Sequence, residues 1–459
     1  MSVRDGSTVN ADANQNSPLK KRVLASFSAT AAPLAAMTLP IAIYVPPFYA
    51  ESIGLSLASI GLIFTLARIW DVVTDPIMGA VIDRYSTRWG RRKHWIAIGT
   101  PILMLSVYNV FLPGDDVSVL YLGTWMFFLY IGYTMLTIAH QSWGAELATT
   151  YDERSRLFSW REIFVVGGMT VALAIPAIIE QTGSGALSDR VAGMGIFVLI
   201  LFPVAILPTL LFVPDKRNAT NAAVDWATAI KILIANRILW RLLGSVLFSN
   251  FASTASGSMY VFFASYIFEL PSHASLALLF YFLAGTLAMP GWMKLAISLG
   301  KEKAIKVALT YGIVAKVGIF FVVDPGNVTV FWTYTLLTGV AFGATPTLLR
   351  SMMADLVDVD ELESGQKRAG LFFALLNTID KLGSAIAVGL IFFILERVVG
   401  FQAGAENSPE IIDGVLIVYC LAPIIAYLLT FVPLIGYPLN KSAHEEVREA
   451  LAARQAPAV

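Results

Sequence analysis

The chain has 459 residues, of which 57% are hydrophobic and only 14% charged, and its mean hydropathy is +0.70. Soluble domains carry about a quarter charged residues, so a water-soluble globule is excluded. The formal net charge of +0 gives no footing for nucleic acid, and a lone Cys420 excludes an internal disulfide or a cysteine zinc site.

Residues 1–23 are polar at their start and read as a disordered tail, without the apolar core of a cleaved signal peptide. Apolar stretches then recur at 24–50, 57–82, 95–113, 118–143, 160–180, 191–213, 238–268, 274–298, 304–323, 328–350, 368–396 and 412–437. Each approaches the roughly 20 residues needed to cross a bilayer as a helix. Helices are required because lipid offers the backbone no hydrogen-bond partners. The expectation is an all-α membrane protein of twelve transmembrane helices. Segment 214–237 is the longest polar interruption. It acts as a linker and divides the chain into two pseudo-symmetric six-helix bundles, 24–213 and 238–437, followed by a tail at 438–459. An echo supports the division: Ala145-Glu146-Leu147 recurs as Ala354-Asp355-Leu356 at the equivalent place. Paired six-helix halves around a central site are a common transporter plan.

Basic residues set the orientation. Lys20–Arg22, Arg84–Lys93, Arg154–Arg161, Lys216–Arg237, Lys301–Lys306 and Lys367–Arg368 all fall on one side of a twelve-span chain. The other side carries Glu51, Asp115, Asp116, Asp189 and Asp324. Both termini are therefore expected in the cytoplasm, with the protein in a bacterial inner membrane.

The second span contains Arg68, Asp71 and Asp75, spaced so that all three share one helix face. A rise of about 1.5 Å per residue puts Asp71 near mid-depth. A charge there costs on the order of 2.5–3.5 kcal/mol. The two acids also repel, so the arrangement needs a cation, a proton or a base. Two carboxylates offer hard oxygen ligands for Na⁺, or one of them holds a proton. A salt bridge from Arg68 that only staples helices is the alternative. Lys381 lies at matching depth in the eleventh span, with Asn377 and Ser384 on its face and Asp380 beside it. It serves either to neutralise the acids when no cation is bound or to pair structurally with Asp380. Lys316 in the ninth span is assigned a structural or snorkelling role.

Uncharged stripes complete the pattern. Tyr130, Tyr133, Thr134, Thr137 and Gln141 share one side of the fourth span, and Ser249, Ser253, Ser256 and Tyr260, with Asn250 adjacent, share one side of the seventh. They fit a cavity for a polar small solute; helix packing through small and hydrogen-bonding residues is the alternative. Arg161 could reach the cytoplasmic end of such a cavity. The prolines Pro33, Pro40, Pro46 and Pro47 predict a kinked first span. The four histidines are scattered and form no metal cluster.

Gly79-Ala80-Val81-Ile82-Asp83-Arg84 followed by Arg88-Trp89-Gly90-Arg91-Arg92-Lys93 resembles the loop signature of the major facilitator superfamily. The preceding Ala67–Gly79 segment, with Asp71, Asp75 and Pro76, resembles the helix-two signature of the melibiose permease-like glycoside–pentoside–hexuronide:cation symporters. Ala354-Asp355-Leu356-Val357-Asp358 and Lys381-Leu382-Gly383-Ser384-Ala385 resemble that family's helix ten-to-eleven region. The resemblance covers most of the chain. It implies the major facilitator fold, alternating access, and solute uptake driven by H⁺ or Na⁺ bound at Asp71 and Asp75, beside Thr134 and with Lys381 in coupling. It also implies a cytoplasmic gate built from Asp83, Arg84, Arg91, Arg92, Asp355 and Asp358, pairing across the halves. Two acids that grip sugar in melibiose permease fall here at Ala35 and Thr137, so a galactoside is not expected, and H⁺ is favoured over Na⁺.

The reading is a monomeric secondary transporter without enzymatic activity or cofactor. Its expected partners are a small-molecule solute and membrane lipid. Tyr130, Tyr133, Thr137, Gln141, Arg161, Asn250, Tyr260 and Asn377 are the solute-binding candidates. A lipid, amphipathic-solute or drug carrier of the same fold is the competitor, and a non-transporting sensor is the other.

Overall fold

The computed structural model describes residues 19–148, 151–183, 185–215, 236–366 and 368–455. Residues 1–18 of the expected tail and 216–235 of the expected linker lie outside that set. The described chain is helical, apart from an isolated bridge between Thr87 and Gly90.

The first apolar stretch is three consecutive helices, α1 (Lys21–Ala29), α2 (Ala31–Ile43) and α3 (Val45–Glu51). The expected proline kinks appear here as breaks at Thr30 and Tyr44, around Pro33, Pro40 and Pro46. There follow α4 (Leu57–Arg84), α5 (Lys93–Phe111), α6 (Val119–Leu147), α7 (Tyr151–Thr182) and α8 (Leu187–Phe212). The later part holds α9 (Arg237–Ser258), α10 (Ala274–Leu299), α11 (Lys301–Val322), α12 (Val328–Val340), α13 (Ala344–Ser364), α14 (Ala369–Phe393), α15 (Pro409–Phe431) and α16 (Lys441–Gln455). Ser56, Ser118, Asn236 and Asn327 cap α4, α6, α9 and α12, each side chain accepting from a backbone N–H three residues on.

Among the described residues, 11 stretches are long and apolar enough to cross a membrane. The seventh expected span, 238–268, is not one of them. Its helix α9 carries Arg237, Arg241 and a run of serines and Asn250, which lowers its hydropathy. The helix nevertheless continues through Tyr260–Phe262 and a π turn at Phe263–Ile267. The tenth span is interrupted at 341–343, where Gly343 adopts φ +78°, and resumes as α13.

Two helix pairs join the part before residue 215 to the part after 236: α4 against α14, and α7 against α10. Along α4 and α14, Gly61 faces Gly389 and Phe392, and Thr65 donates to the Ala385 carbonyl at 2.9 Å. Small residues let the two backbones approach closely. That close approach sets the depth at which the charged side chains of α4 and α14 meet.

Candidate functional site

Asp71 and Asp75 project from α4, and Lys381 reaches them from α14. The Lys381 ammonium lies 2.7 Å from Asp71 Oδ2 and 2.5 Å from Asp75 Oδ2. Thr134 of α6 places its hydroxyl 2.7 Å from Asp71 Oδ1 and 3.1 Å from Asp75 Oδ1. One hydroxyl and one ammonium thus bind the two carboxylates together. The Asp71 side chain is fully buried, whereas Asp75 is 35% exposed. Arg68 stands one turn back, 3.8 Å from Asp71 Oδ2, with its guanidinium 5.0 Å from the Tyr130 ring centre. Thr74 turns off this face and donates to the Asp71 carbonyl. Pro76 lies inside the same helix, which leaves the Val72 carbonyl without its usual helical donor.

Lys381 does not pair with its sequence neighbour Asp380. Asp380 instead accepts from Asn250 at 2.6 Å and from Arg350 at 3.1 Å. Asn250 in turn accepts from Ser384 and Thr254. Its amide is committed to a network tying α9, α13 and α14. Tyr260 donates to the Ala274 carbonyl at 2.9 Å and still lines a cavity between α2, α9, α10, α11 and α15. Tyr130 is buried and Tyr133 half-buried; the Thr137 hydroxyl is buried without a hydrogen-bond partner. Gln141 and Asn377 are exposed. Arg161 is half-buried, with Glu162 4.0 Å away.

The expected gate residues meet other partners than the ones the resemblance implied. Arg92 pairs with Glu146 of α6 at 2.5 Å, and Arg91 approaches the same oxygen at 3.6 Å. Asp355 takes Lys301 at 2.6 Å, and Asp358 takes His444 of α16 at 3.0 Å. Arg84 lies against Tyr85. These contacts stay within residues 19–215 or within 236–455, because at this end α4 and α14 have diverged. The Asp83 side chain is outside the described residues. Lys316 is also not a snorkelling lysine: it is only 5% exposed and sits at the cavity wall over Tyr419.

The ties across the molecule are at the opposite, acidic-loop end, where three acids missed as site residues make them. Glu180, at the end of α7, accepts from Ser275 N–H at 2.9 Å and Leu276 N–H at 3.3 Å, capping α10, and pairs with Arg190 at 2.6 Å. Glu396, in the π turn Ile394–Val399 that follows α14, accepts from Ala58 N–H at 2.7 Å and caps α4. The Glu51 backbone packs against Gly404, whose N–H donates to Tyr266. Single acids in the last turns of the fifth and eleventh spans were the sequence signal for the first two.

A family model described as MFS/sugar transport protein matches residues 26–441. The chain belongs to this family. More narrowly, it is one of the glycoside–pentoside–hexuronide:cation symporters of the major facilitator superfamily, an integral membrane transporter and not an enzyme. A glucuronide carrier protein homolog of Escherichia coli (strain K12) is 25% identical over 421 residues, covering 88% of this chain and 90% of that protein. A sodium-dependent lysophosphatidylcholine symporter of Xenopus tropicalis is 25% identical over 454 residues, covering 89% and 83%. The fold is shared with a bacterial homolog of the human lysosomal transporter Spinster, solved inward-facing and unoccupied, at TM-score 0.60 and 15% identity, covering 95% of this chain and 98% of that one.

Proposed function

We propose that this symporter couples H⁺ or Na⁺ at Asp71 and Asp75 to the movement of a sugar, glycoside or similar small solute. The observation that carries the reading is Lys381 bridging both carboxylates across the α4–α14 contact. It holds the empty carrier's acids compensated. Twelve spans in two six-helix halves follow if α9 and its extension through Ile267 count as the seventh. The basic-loop end then faces the cytoplasm with both termini, and the protein works as a monomer.

In this reading the present conformation is shut outside by Glu180, Glu396 and the Glu51–Gly404 contact. A cation or proton arriving at Asp75, the more exposed acid, competes with the ammonium. Breaking a buried ion pair by removing one partner costs roughly 3–5 kcal/mol. The incoming charge must therefore replace Lys381, not merely join it. Because α4 and α14 lie in different halves, exchanging their shared ion pair for a site held by α4 and α6 alone changes how the halves hold each other. A ligand switches conformations only through unequal affinity for the two states, and this exchange supplies the inequality. The family's H⁺ preference is argued from Thr137 standing where an additional acid would complete a Na⁺ shell.

The test begins with a thermal-shift screen of sugars, glycosides and lysolipids on purified protein. The best solute is then followed in vesicles with imposed Na⁺ and H⁺ gradients, comparing wild type with Asp75→Cys. Loss of gradient-driven accumulation with retained solute binding is expected. Full accumulation by Asp75→Cys removes Asp75 from coupling. A lysolipid as sole stabiliser favours the second reading, an amphipathic-solute carrier, which the aromatic-walled cavity beside α2 and the lysophosphatidylcholine symporter relative support.

A further inference from the structure

A cavity of about 220 Å³ lies among α9, α10, α11, α12 and α15 and closes against α2. Its wall includes Ser253, Ser256, Tyr260, Tyr334 and Tyr419, and one formal charge, Lys316. Asp71, Asp75 and Lys381 are not part of it. Lys316 comes from the sixth residue before the end of α11, so it starts roughly 9 Å below the acidic-loop end. Its side chain turns inward and not toward that end. The ammonium is buried, has no hydrogen-bond partner among the described residues, and sits 3.4 Å from the centre of the Tyr419 ring. Tyr419 is itself fixed by stacking on Phe263 at 4.1 Å. The Ser256 hydroxyl in the same wall is likewise buried and unpartnered.

An ammonium has three donors and no acceptor capacity. The face of a tyrosine offers it about 1–2 kcal/mol when desolvated. That is well short of the several kcal/mol that an ion loses on leaving water. A buried lysine in this position lacks an anion. The wall around it supplies hydroxyls and aromatic faces, which suit the uncharged body of an organic solute, and no carboxylate to satisfy the charge.

We propose that Lys316 is the anion-binding subsite of the solute cavity. The transported solute then carries one compact anionic group, carboxylate, sulfonate or phosphate, on a body that packs against Tyr419 and Tyr334. This rests on the transport reading above and narrows its solute class, but the site is separate from the coupling carboxylates.

The test reads cavity charge without needing the natural solute. In full-length protein with Cys420→Ala, Ser253→Cys places a thiol in the cavity wall. Two methanethiosulfonate reagents of matched size, one bearing a sulfonate and one a trimethylammonium, are compared for labelling rate. Lys316→Met is expected to lower the sulfonate-to-ammonium rate ratio by roughly tenfold or more, through loss of the local positive potential. Lys316→Arg is expected to preserve it, and Lys316→Gln replaces the methionine variant if that one does not fold. An unchanged ratio in the neutral variants overturns the proposal, as does failure of both reagents to react, which means a closed cavity. Neither outcome bears on coupling at Asp75, because labelling requires no transport. A failed Asp75→Cys experiment equally leaves the ratio test standing.

Discussion

The Lys381 ammonium touches two carboxylates that stand one helical turn apart, and its removal isolates the like charges. Carboxylates sharing a site resist joint ionisation, so one of them recruits a proton or a metal cation. Lys381→Met is therefore expected to tighten the apparent affinity for the coupling ion by about tenfold or more, an interaction change of about 1.4 kcal/mol. It should also abolish uphill accumulation, since nothing remains to reset the empty site. Ion-dependent protection against thermal unfolding of the purified variant checks the first part and vesicle uptake the second; wild-type ion dependence would leave the pair a structural staple. The stripe of Arg68, Asp71 and Asp75 was legible in the sequence because helical periodicity fixes which residues share a face. The identity of the lysine's partner was not. Lys381 and Asp75 are 306 positions apart, and Asp380 next door offered a nearer acid. Asp380 points instead toward Asn250 and Arg350, since neighbouring residues on a helix diverge by about 100°. The same geometry withdrew Asn250 from the solute-binding set and, through Tyr419, turned Lys316 from the membrane edge to the cavity.

At the scale of elements, α4 and α14 meet most tightly near the acidic-loop end. A Cβ added at Gly61 would stand 3.0 Å from Phe392 Cβ and 3.3 Å from Gly389 Cα. One added at Gly389 would strike the Thr65 hydroxyl, which is bonded to Ala385. Above this contact Glu396 caps α4 from the α14 side, while Glu180 caps α10 from α7. Two helix N-termini are thus closed reciprocally by acids from the other part of the chain. Losing such a cap costs about 1 kcal/mol. Losing the close approach costs more, because the side chain has no room. Gly389→Val is expected to wedge the pair apart and favour the form open at the acidic-loop end, with transport reduced at least about tenfold. Faster thiol labelling of Ala58→Cys in a Cys420→Ala background checks it, and unaltered labelling contradicts it. Most spans were readable from hydropathy to within a turn or so. The exceptions have local causes: polar side chains on α9 that face other helices, not lipid, and the left-handed Gly343 that divides the tenth span.

For the whole molecule, hydropathy and charge asymmetry reveal which helices cross and cannot reveal which end is shut, since the two forms of an alternating carrier share one sequence. In the present form the acidic-loop end is closed, and Glu51 beyond the first span is caught inside the closure. Burial pushes its carboxyl up to about 7, with Arg190 and the Tyr266 hydroxyl pulling the other way. Opening that end returns Glu51 to water and to the ordinary carboxylate range. The closed form therefore holds more protons than the open form between the ordinary value and about 7. Closure is strengthened as pH falls through about 7, and the gain levels off once the open form is protonated too. At higher pH an ionised Glu51 must be accommodated inside the closed end, and opening is favoured. Spin labels at Asp116 and Asp324, two exposed positions on that end, would report this as a distance distribution. The shorter population is expected to grow as pH is lowered from above to below about 7, and Glu51→Gln is expected to remain short at every pH. An identical pH response in Glu51→Gln would move the titration to another group. The external pH would then act on the carrier twice in the same direction, by supplying the coupling proton and by releasing the carrier to close behind it once Glu51 is neutral.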